Sequence, residues 1–225
     1  MQRSVARVSV ARVLAMAGLA LGIGTAFAQP PPPPPMAAPL APPAPGGNVQ
    51  QWPELSGQVT AFSLTPRGDI DGVILADGTQ AHLPPHLGRA LMQGVRIGDT
   101  VSVRGLRAYA VPVVQAVSIT DSATGQTIVD TGPPGPGLAP FPPFAGPPQP
   151  MMAQGRVRLS LYGPRGDLNG AMLEDGTQIH LPPPQAAADA ASLAPGAMMS
   201  ASGMGLTTPY GRVMDVQQIS PAPRP

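Results

Sequence analysis

Two histidines stand 98 residues apart in almost the same words: DGTQAHLPP carries His82 and DGTQIHLPP carries His180. An imidazole of this kind can move a proton or ligate a metal. In each copy a glutamine, Gln80 or Gln178, stands two residues earlier. Apolar Ala81 and Leu83, or Ile179 and Leu181, flank the histidine. Period-two alternation puts the apolar pair toward a core and Gln and His on the opposite strand face. That outer face is expected to be open, either as a ligand surface or as a solvated polar face. His86 extends the first histidine to an H-x-x-x-H spacing. Pro84 and Pro85 lie between the two, however, and the second copy has Pro184 in place of His86. No repeated metal site is expected.

The same repeated segment contains PRGD, with Arg67 and Asp69 in one copy and Arg165 and Asp167 in the other. Pro, Gly and Asp are turn formers for steric and hydrogen-bonding reasons, so a turn is the first reading. Asp69, Asp71 and Gly72 have the spacing that opens a calcium loop. An apolar strand follows instead of further acidic ligands, and Asn169 replaces Asp71 in the second copy. The candidate ligand-binding residues are therefore Arg67, Asp69, Gln80, His82, Arg165, Asp167, Gln178 and His180, with no metal and no cofactor assigned.

Composition narrows the chemistry. The absence of cysteine removes thiolate chemistry and disulfides, and the absence of lysine removes Schiff bases and the phosphate-loop Lys. No nucleophile elbow or paired-carboxylate motif occurs, so no enzyme is expected. Methionines gather in the second half, from Met151 to Met214. Soft thioethers with histidine suit Cu(I), although methionine also serves as adaptable core filler.

Residues 1–28 place three arginines before the apolar run from Val13 to Thr25, which ends in Ala26-Phe27-Ala28. This is the pattern of a secretory signal peptide, cleaved near Ala28. The run is short of the roughly 20 residues a bilayer span needs. A periplasmic or secreted product is expected, with no membrane span after cleavage. Without the arginines of this segment, ten arginines face twelve acidic residues. That balance, and the scarcity of aromatics, sets nucleic acid aside as a partner.

Proline and glycine, 33 and 27 residues, are concentrated in two linkers. The resulting organisation is a linker over 29–53, one domain over 54–131, a second linker over 132–153, a second domain over 154–220, and a tail over 221–225. Residues 57–85 and 155–183 align without a gap and share 16 identities in 29 positions. One domain has been duplicated.

Within a unit the pattern predicts three strands, a short helix (Leu87 to Gln93, or Gln185 to Leu193) and two more strands. An additional strand over Gln126 to Asp130 is predicted in the first copy only. Asp77-Gly78 and Asp175-Gly176 predict tight hairpins. This order resembles the OB-fold, a small five-stranded barrel with a helix between its third and fourth strands; SH3-like barrels are the competing topology. The resemblance implies an all-β fold of two tandem OB-like barrels with the outer face of strands two and three as the ligand surface. Trp52-Pro53-Glu54-Leu55 is similar to the Trp-Pro-x-Met element of small periplasmic copper-binding barrels, with Leu55 where methionine is wanted. The expected function is a non-catalytic binding module for an envelope polysaccharide or protein. A copper binder and a structural spacer are the alternatives.

Overall fold

The computed structural model describes residues 49–133 and 146–221, which lie within one compact unit spanning residues 39–225. The signal segment, most of the first linker, Phe141 and Phe144 of the second linker, and residues 222–225 lie outside the described residues.

The first copy builds β1 (Glu54–Leu64), β2 (Ile70–Leu75), β3 (Gln80–His82), α1 (Gly88–Gly94), β4 (Thr100–Arg107), β5 (Val113–Asp121) and β6 (Thr127–Val129). The sheet runs β3-β2-β1-β4-β5-β6, and a parallel pairing of β3 with β5 closes it. The second copy repeats the plan with β7 (Gln149–Tyr162), β8 (Leu168–Leu173), β9 (Gln178–His180), α2 (Pro183–Ala188), β10 (Met198–Thr208) and β11 (Gly211–Pro221). Its five strands form a closed barrel, again with a parallel closure, of β9 on β11. Both copies are thus five-stranded closed barrels, consistent with small OB-like barrels.

The alternation read in the sequence fills the barrels. Val101 and Val103 of β4 are fully buried with Val59, Leu75, Ala81, Leu91 and Ile119. Val157, Leu173, Ile179, Met199 and Met214 fill the second barrel. Met172, Met199 and Met214 are core residues, whereas Met152 and Met204 are exposed.

Local details depart from expectation in two places. The Asp-Gly turns are not two-residue hairpins. In the first copy Gly78 N–H donates to the Leu75 carbonyl (2.9 Å) and Leu75 N–H to that of Thr79 (2.8 Å). The loop is therefore one residue longer and ends on a left-handed glycine (Gly78, φ 84°). Asp77 fixes it by accepting from both the Thr79 N–H (2.9 Å) and hydroxyl (3.0 Å), and Asp175 does the same for Thr177. The second-copy helix stops at Ala188, well before Leu193. Leu193 is fully buried in the second core, and turns follow the helix to bring it there, so packing overrides the helix propensity of the alanines.

The extra strand of the first copy is present. β6 pairs with Ser118–Thr120 of β5 and buries Ile128 against the first core. No equivalent strand covers β11 among the described residues. There Gln217 and Gln218, both exposed, occupy the places of buried Val117 and Ser118. Ile128→Ala is expected to destabilise the first barrel by about 2–4 kcal/mol, measured by urea unfolding.

Candidate functional site: the face between the barrels

The chemistry-bearing residues are positioned by a gap in hydrogen bonding. β4 pairs with β1 only over Glu54–Gln58, and β10 with β7 only over Gln149–Arg156. The far ends of β1 and β7 thus lie beyond reach of those neighbours. In each barrel that stretch is met by a glutamine of the other barrel. Gln178 Nε2 donates to the Phe62 carbonyl (2.7 Å), while its Oε1 accepts from the Leu64 N–H (2.9 Å). Gln80 Nε2 donates to the Ser160 carbonyl (2.9 Å), while its Oε1 accepts from the Tyr162 N–H (2.9 Å). Every partner is displaced by the 98-residue repeat, so the contact is reciprocal, as in a two-fold dimer interface. Each carboxamide behaves as a peptide group that adds one rung to a strand edge.

Around these clasps Ile74, Leu161 and Met172 are buried together, with Ala61 and Leu159 beside them. The β10–β11 hairpin reaches over the first barrel: Leu206 and Val213 join its core, and Tyr210 meets Phe62 edge-on at 5.6 Å between ring centroids. In the other direction Gln115 Nε2 donates to the Pro164 carbonyl (2.8 Å).

The expectation that Gln80, His82, Gln178 and His180 lie on an open face is corrected. They are 1%, 6%, 1% and 8% exposed. Alternation does point them out of their own barrels, but the outward face of each barrel is covered by the other. The PRGD segments are turns, closed by Gly68 N–H on Thr65 and by Gly166 N–H on Gly163. Arg67 is exposed and lines a cleft of about 620 Å³ with Pro66, Pro147, Met204, Leu206 and Asp215. Arg165 and Asp167 are exposed, and Asp69 is half-buried. The structure therefore gathers the Gln and His residues but leaves the PRGD arginines apart from them.

Asp71 and Asn169, equivalent positions not selected as site residues, sit at the same face. Asp71 Oδ2 is 3.7 Å from His82 Nδ1, too long for a hydrogen bond. Burial pushes the Asp71 carboxyl up, but His82, with help from Ser63 and His180, outweighs it and holds the carboxyl below its ordinary 3.8. Burial pushes His180 below its ordinary 6.5, opposed by Asp71, the Leu64 carbonyl and Asp215 and reinforced by His82. Among the described residues no group of three His, Cys, Asp or Glu side chains is placed to hold a metal, and no helix is long and apolar enough to cross a membrane.

Strand order, parallel closure and the interposed helix define the class: a tandem pair of OB-like five-stranded barrels. No family model matches the chain, and no curated protein matches it. Two solved structures similar to it are the wild-type single-stranded DNA binding protein from Thermus aquaticus and a deletion mutant of that protein. Each is 14% identical with a TM-score of 0.26, covering 76% of this chain and 92% or 94% of the other. A likeness at that level carries no argument about what this chain binds.

The partner expectations are nonetheless corrected. The face meant for an envelope polysaccharide or protein is closed, and the proteins in these two structures bind single-stranded DNA. The envelope ligand is withdrawn, and so is the setting aside of nucleic acid.

Proposed function

We propose that this chain is an exported, non-catalytic scaffold whose two barrels act as one rigid body, with the repeated glutamine as its fastening. The observation that carries this reading is the reciprocal glutamine clasp. A side chain spent on two backbone hydrogen bonds to the other barrel is not free to recognise a ligand. His82 and His180 are sealed in the same contact, so neither is placed to exchange a proton with a substrate in solution. Export rests on the pattern of residues 1–28.

Backbone nitrogen-15 relaxation tests the rigid body. A single rotational correlation time for both barrels is expected. Two shorter, independent times would show separate barrels on a tether and would overturn the reading.

A further inference from the structure

Among the described residues, every buried side-chain nitrogen or oxygen without a hydrogen-bond partner lies at one place. The atoms are Asp71 Oδ1, His82 Nδ1 and Nε2, Asn169 Oδ1 and His180 Nε2. They belong to two pairs of equivalent residues, one member of each pair from each barrel. Buried polar groups are normally satisfied, and an unsatisfied cluster calls for a reason. Turn geometry and the glutamine clasp do not use these atoms.

Charge counting supplies the reason. His180 is faced by Asp71 on β2, His82 on β3 and the Leu64 carbonyl on β1, and from its own barrel by Asp215 on β11. Asp71 is faced by His82, His180 and the Ser63 hydroxyl. Asp215 is exposed, so its charge is screened by solvent. The one sheltered carboxylate is Asp71, because the repeat places neutral Asn169 at the equivalent position. One imidazolium is balanced by Asp71. A second would be buried without a sheltered counter-charge, which is costly enough to separate the surfaces that bury it.

We propose that the barrel–barrel contact is a proton-operated latch: a proton taken up by His180, which shares its one sheltered carboxylate, Asp71, with His82, releases the barrels and uncovers Ile74, Leu161 and Met172. The latch rests on the paired-barrel reading above. Its sign follows from linkage. His180 is held neutral in the closed form below the pH at which a free imidazole would charge. Closure is therefore fully favoured above about pH 6.5 and weakens as pH falls below it, by up to about tenfold per pH unit for one group. Asp71, held below 3.8, contributes its own loss only below that value.

Amide hydrogen exchange on the full chain between pH 7.5 and 5, corrected for intrinsic rates, tests the latch. The Leu64 and Tyr162 amides report the clasp, and those of Val101 and Met199 report the barrels themselves. The opening constant of Leu64 and Tyr162 is expected to rise up to about tenfold per pH unit below 6.5, with Val101 and Met199 unmoved. His180→Gln should flatten that rise, and Asn169→Asp, which supplies the second carboxylate and lets the closed form hold the proton, should reduce its size without moving its onset. Clasp amides protected but indifferent to pH, or an acid response unchanged in His180→Gln, overturn the latch alone. A rise shared by all four amides is global unfolding and also overturns it. Clasp amides unprotected at pH 7.5 overturn the pairing of the barrels itself.

Discussion

Gln178→Ala is expected to cost about 3 kcal/mol and Gln80→Ala somewhat less, because each leaves one backbone N–H and one carbonyl unpaired, at about 1–3 kcal/mol for a buried group. The order follows from burial. The bonds of Gln178 to Phe62 and Leu64 are fully buried, whereas those of Gln80 to Ser160 and Tyr162 are partly buried. The double variant is expected to lose the docking altogether, since the combined loss approaches the total stability of a small domain. Gln178→Glu keeps the shape and the acceptor for Leu64 but sets a carboxylate against the Phe62 carbonyl, and it should be no better than alanine. Urea unfolding gives the single-variant costs, and small-angle scattering shows the double variant expanding. A double variant with wild-type compactness would remove the clasp from the account.

Gly170→Ala should be as severe, for a steric reason. A Cβ at Gly170 would overlap the carbonyl oxygen of Ile179 on the paired strand β9, and one at Gly72 would overlap that of Ala81 on β3. Those carbonyls belong to short three-residue strands that close the barrels. The strand can yield only by moving away, taking Gln178 and His180 with it. A loss of about 3 kcal/mol is expected from such overpacking. Gly155→Ala is the control. The nearest atom to its Cβ would be Leu173 Cδ1 at an ordinary 3.6 Å, so that change should be near neutral or slightly stabilising. Equal thermal shifts for the two variants would contradict the close approach.

Much of a single barrel was legible because its causes are local. The order of strands and helix, the PRGD turns and the buried Ala81–Leu83 pair follow from sequence pattern and turn chemistry, and the duplication is a matter of identity. The extent of α2 was not legible, since its end is set by where Leu193 must be buried. Asp71 and Asn169 were read only against the spacing of a calcium loop that does not continue. Their substitution for one another was visible in the aligned repeat, but it carries meaning only when both lie on the same face as the two histidines.

The sequence by itself determined that two like barrels exist, and that Gln80, His82, Gln178 and His180 point out of them, because side-chain direction along a strand alternates over neighbouring residues. Only the tertiary structure decided what lies on the other side of that outward face. A strand carries no record of whether its polar face meets water or another barrel. That depends on a contact between residues about a hundred positions apart, and here the contact turns four polar residues from a surface into an interior.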